Sequence, residues 1–168
     1  MAVLAAMAIV PGAVATYVYP RMSYALGQGR PDGALRGMAF RASAASVGAG
    51  LPVAIAGWFA APPAIERFFP QYVASLPAVR WSLVAGLLWS LCPAAQILGS
   101  LKDWRRLALY IGCVLATRWT FPWFLSESGE PLEGVARGNA WAAAVVGVVS
   151  LVLVHRATTP RRLEETAP

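Results

Sequence analysis

Five stretches of this chain stay apolar for close to the thickness of a lipid bilayer: residues 2–19, 38–61, 78–99, 107–125 and 134–154. A hydrocarbon core about 30 Å thick needs roughly 20 such residues at 1.5 Å of rise each. Their apolar side chains surround the helical wheel instead of forming one stripe, which is the pattern of a helix buried in lipid and not of an amphipathic surface helix. Of the 168 residues, 58% are hydrophobic and only 13% charged, against roughly 25% charged in an ordinary soluble domain. The expected fold is an all-α, polytopic integral membrane protein with about five transmembrane helices in residues 1–157, followed by a short cytoplasmic tail at 158–168. The first stretch is short, and Met1 opens it with no polar segment before it. Its start is therefore expected to be truncated or misassigned.

Charge sets the expected orientation. If the loop from Pro20 to Arg41 is cytoplasmic, alternation puts Lys102 to Arg106 and the tail from His155 on the same side. Basic residues outnumber acids there, whereas Arg67, Arg80, Arg118 and Arg137 on the other side are balanced by Glu66, Glu127, Glu130 and Glu133. The net charge of +6 thus falls on one face, as the enrichment of Lys and Arg in cytoplasmic loops requires. The prediction is a multi-pass protein of the cytoplasmic (inner) membrane, N-terminus outside and C-terminus inside. Nucleic acid is excluded as a partner, because the basic residues do not gather on a polar face. The connector "FFPQYVASLPAVRW", residues 68–81, becomes an external turn with Phe68, Phe69, Tyr72 and Trp81 at headgroup level, where amphipathic rings collect.

Small residues and prolines mark the spans. Gly134, Gly138 and Ala142 recur every four residues, a spacing that lets two helices pack closely in lipid. Pro11, Pro52, Pro93 and Pro122 fall inside the apolar stretches. Each removes a backbone donor and tends to kink its helix, a feature of transporters around a cavity and also simply common in membrane helices. None of the stretches contains Asp or Glu, which argues against an enzyme using metal or general-acid chemistry. Cys92 and Cys113 are too few for a disulfide framework or a Cys-rich metal site, and His155 stands alone. No metal or cofactor is expected.

The run "VYPRMSYALGQGRPDGALRGMAFR" and the later "LPVAIAGWFAAPPAIERFFPQYVASLPAVRWSL", "QILGSLKDWRRLALYIG" and "GVARGNAWA" together resemble the C-terminal part of polysaccharide-biosynthesis flippases. These are the O-antigen or lipid-linked oligosaccharide translocases of the multidrug/oligosaccharidyl-lipid/polysaccharide exporter superfamily. Tyr19, Pro20, Arg21 and Ser23 match that family's aromatic-Pro-Arg turn, and Tyr72, Pro77, Val79 and Arg80 match the start of its following span. Members have about twelve to fourteen spans in two lobes around a central cavity, so five spans imply a truncated chain, a second chain completing it, or a protein that no longer transports. The resemblance implies alternating access, in which a polyprenyl-pyrophosphate oligosaccharide enters from the cytoplasm and is released outside. Such a cargo calls for a cation on its pyrophosphate. Arg118, inside an apolar stretch, is the first candidate, although its side chain can also snorkel toward Trp119 and Trp123. Arg21 and Arg41 at the cytoplasmic mouth either gather the anionic head group or only fix topology. Gln96 and Asn139 either line the cavity or bond across helices. The implied partners are the bilayer, the lipid-linked oligosaccharide and glycan-assembly enzymes, or a chain supplying the missing lobe. Two alternatives remain: a multidrug cation exporter of the same superfamily, and a non-transporting membrane scaffold subunit.

Overall fold

The computed structural model describes residues 2–28, 32–127 and 130–159, and among these every regular element is a helix. In chain order they are α1 (Ala2–Gly27), α2 (Asp32–Phe68), a 3-10 turn (Pro70–Ser75), α3 (Leu76–Trp89), a second 3-10 turn (Cys92–Ala95), the short α4 (Gln96–Ser100), α5 (Trp104–Ser126) and α6 (Pro131–Ala157). Three segments are long and apolar enough to cross a membrane by length and composition: Gly33–Phe68, Pro70–Trp89 and Pro131–Ala157. Residues 160–168, most of the expected tail, lie outside the described residues.

The helices depart from the expected spans at identifiable places. The first stretch does not end in a turn at Tyr19, Pro20 and Arg21; α1 runs through them to Gly27. A proline inside a helix costs about 3 kcal/mol, but the turns beyond it bury Met22 and Ala25 against Leu35, Ala39, Leu98 and Val154. α2 likewise begins at Asp32 instead of Met38, so the expected loop from Pro20 to Arg41 is mostly helix. The third stretch is the one that breaks. α3 stops at Trp89, where the amides of Ser90 and Leu91 turn back to the carbonyls of Leu87 and Leu88 at 3.1 Å each. Pro93 explains the break, since it has no N–H for the Trp89 carbonyl. Pro52, Pro62 and Pro63 in α2 and Pro122 in α5 interrupt nothing. In hydrocarbon, a helix is the one local structure that satisfies the remaining backbone groups.

α6 is the centre of the bundle, with α5 on one side and α3 on the other. Toward α5 it presents Gly134, Gly138 and Ala142, all buried. A Cβ on Gly138 would lie 2.6 Å from the backbone N and Cα of Pro122, and one on Gly134 would collide with the Leu125 carbonyl. Backbone thus meets backbone. Toward α3, Gly147 rests against Leu91 and the Leu88 carbonyl. α2 is tied to the break in α3 by Ser43, whose Oγ donates to the Leu91 carbonyl at 2.8 Å. The outside of the bundle is greasy: α5 has no buried residue, and Leu109, Leu115, Trp119, Trp123 and Phe124 are exposed. Such a surface is unfavourable in water and ordinary in lipid.

One apolar cluster joins the ends of five elements: Met22 and Leu26 of α1, Leu35 of α2, Leu98 of α4, Leu107 of α5 and Val154 of α6. The same end carries Arg21, Arg36, Arg41, Lys102, Arg105, Arg106 and Arg156. Arg67, Arg80, Arg137, Glu66, Glu127, Glu130 and Glu133 belong to the far end. With Asp103 on the first end, the bundle has one end with a basic excess and one where three arginines meet four glutamates.

Candidate functional site

Met22 and Ala25 of α1 share a cluster with Leu35 and Ala39 of α2, and the neighbouring Arg21 and Arg41 come to one groove. Both are exposed, and both line a groove of about 480 Å³ between the helices. Its remaining lining is Ala13, Val14, Tyr17, Val18, Met38, Ala42 and Ala45. Tyr17 lies one turn before Arg21, and its ring takes the Arg21 guanidinium on its face at 4.1 Å from the centroid, a favourable cation–π geometry. Arg21 also borders a second groove of about 530 Å³ with Pro20, Tyr24, Ala25, Gln28 and Met38.

Among the described residues no carboxylate lines either groove. Two guanidiniums therefore face the groove with no acidic side chain among its described lining. From Arg21 to Ala13 the apolar floor runs eight residues, or roughly 12 Å along the helix. The arrangement suits an amphiphile with an anionic head: phosphate oxygens accept paired N–H bonds from Arg, and a chain lies along alanine and valine.

The other candidates are elsewhere. Arg118 is exposed on α5 and holds its guanidinium 5.6 Å from the centroid of the Trp89 ring, at the last residue of α3. It lines neither groove. Gln96 opens α4, but its side chain lies outside the described residues. Asn139 is half-buried on α6, one residue past Gly138. The structure thus brings Arg21 and Arg41 together and places Arg118 and Asn139 apart from them. Cys92 and Cys113 are free thiols, with Cys92 sharing a hydrogen bond with Tyr110.

Sequence reasoning missed Tyr17 and Met38 in the groove. For Tyr17 a signal was present, since positions four apart on a helix are neighbours. Met38 required the register between two helices. Among the described residues no cluster of His, Cys, Asp or Glu is able to hold a metal. No protein-family model, curated protein or solved structure matches the chain.

Proposed function

We propose that this chain is part of a membrane flippase that carries a polyprenyl-pyrophosphate-linked oligosaccharide across the cytoplasmic membrane for cell-surface polysaccharide synthesis. The observation that carries this reading is the α1–α2 groove, where Arg21 and Arg41 sit together above an apolar floor. In the proposed orientation the basic end is cytoplasmic, and all five expected stretches cross the bilayer. The pyrophosphate is gathered by the two arginines while the polyprenyl chain follows the groove. Translocation is by alternating access, with a second lobe supplied by further sequence or by another chain, and no covalent bond is made or broken. Arg118, held against Trp89, is a second station for the pyrophosphate. A basic groove repels cations, which disfavours the multidrug-exporter alternative.

The test is labelling of the detergent-solubilised chain with a photoreactive polyprenyl pyrophosphate. Label is expected on peptides from α1 and α2, competed by unlabelled polyprenyl pyrophosphate but not by the uncharged polyprenol. The Arg21→Ala/Arg41→Ala double variant should lose about tenfold or more in labelling, since hydrogen bonds to charged groups contribute about 1.5–3 kcal/mol each. Arg118→Ala should leave this first capture unchanged while impairing export in a complete transporter. Equal labelling of the double variant, or equal competition by polyprenol, would remove the groove as the head-group site.

A further inference from the structure

The two grooves beside α1 share two lining side chains, Arg21 and Met38. Arg21 is exposed, and an exposed arginine without a partner spreads over many rotamers. Either groove is within reach of its guanidinium unless something holds it.

Among the described residues the holder is Tyr17, whose ring takes that guanidinium at 4.1 Å from the centroid. Tyr17 lines the α1–α2 groove and does not line the second one. The contact therefore draws the cation to the α1–α2 side. The two residues are four apart on α1, the spacing at which helical side chains meet, so the contact forms within one helix. Among the described residues the arginines seated on rings are Arg21, Arg80 and Arg118. Arg41, the other cation of the groove, is not one of them. One arginine is thus set in advance and the other is not.

The same contact leaves Arg21 able to bind. A ring attracts a cation through the negative charge above its face, whereas the five N–H donors of arginine lie in the guanidinium plane. Phosphate oxygens are met along that plane, by paired N–H bonds. Tyr17 does not compete with an anion for Arg21. It orders the donor before the anion arrives, so that less freedom is lost on binding.

We propose, on the reading of the α1–α2 groove as a polyprenyl-pyrophosphate site, that Tyr17 is its positioning residue. It keeps Arg21 in the groove that Arg21 shares with Arg41 and out of the second groove, and so raises the affinity for a pyrophosphate head group. Tyr17 acts through Arg21 and is not itself a ligand.

The experiment is a double-mutant cycle on the full chain in detergent, with the dissociation constant of polyprenyl pyrophosphate as the readout. Arg21→Ala should weaken binding about tenfold, the yield of hydrogen bonds to a charged group. Tyr17→Leu should weaken it about threefold, the yield of an exposed cation–π contact, and Tyr17→Phe, which keeps the ring, should restore it. In the Arg21→Ala background Tyr17→Leu should have no further effect, whereas in the Arg41→Ala background its loss should persist, since coupling is confined to groups that interact. Tyr17 and Arg21 are both exposed, so Tm should hold in each variant, and a thermal scan separates a local effect from a misfolded bundle. Full affinity in Tyr17→Leu, or a loss in Tyr17→Phe as large as in Tyr17→Leu, would overturn the proposal. A loss that remains once Arg21 is gone would overturn it too, because the ring would then be touching the ligand. Unchanged binding in Arg21→Ala would remove the head-group site itself, and the role of Tyr17 with it; weakened binding in Arg21→Ala with none in Tyr17→Leu would remove the role of Tyr17 alone.

Discussion

Gly138 shows how one missing side chain sets the spacing of two helices. Its Cα faces the backbone of Pro122, and a single added carbon would stand 2.6 Å from two main-chain atoms. Gly138→Ala must therefore push α5 away from α6, at the 1–3 kcal/mol typical of overpacking, or a fall in Tm of about 5 °C. Gly12→Ala, where nothing lies within 4 Å, should leave Tm unchanged, and a thermal scan of both variants in detergent checks the contrast. The spacing of Gly134, Gly138 and Ala142 was legible in the sequence as one face of a helix. That Pro122 lies opposite was not, because the partner of a face depends on the register between helices. The same limit applied to Arg21 and Arg41: each was visible as a cation near a span end, but their common groove exists only once α1 and α2 are aligned.

The elements illustrate why proline is an incomplete signal. Pro52, Pro62, Pro63 and Pro122 stay inside helices, while the stretch holding Pro93 breaks. What differs is the supply of other partners: near Pro93, Ser43 reaches the Leu91 carbonyl from α2, and the buried Leu98 redirects the chain as α4. α5 restarts with a stop-and-start device of its own. Asp103 accepts from the Arg106 amide at 3.2 Å and pairs with the Arg106 guanidinium at 2.7 Å. Asp103→Ala should cost about 1 kcal/mol through the lost cap, since a part-exposed ion pair adds little. Amide exchange in the first turn of α5 should accelerate in that variant and stay near normal in Asp103→Asn, which keeps a capping oxygen.

At the scale of the molecule, the all-helical class and three segments apolar enough to cross a membrane were readable, because lipid-facing helices are apolar on every side, whereas the helix ends were not, because packing carried α1 and α2 past the apolar stretches. Charge asymmetry is the other whole-chain property, and it predicts how the bundle threads. In a chain with Cys92 and Cys113 replaced by alanine, Glu127→Cys should react with a membrane-impermeant maleimide in intact cells. Gly33→Cys should react only after permeabilisation. The opposite pattern would reverse the proposed orientation.

The length of α2 carries one more consequence. Its 37 residues make a rod of roughly 55 Å, far more than a hydrocarbon layer of about 30 Å. From Arg41 to Trp58, whose ring carries the Arg80 guanidinium at 5.1 Å, the distance along the helix is roughly 26 Å, most of such a layer. In the proposed orientation the turns beyond Trp58 carry the helix on for roughly 15 Å, to Glu66 and Arg67. In that orientation anything docking on that side meets this charged end of α2.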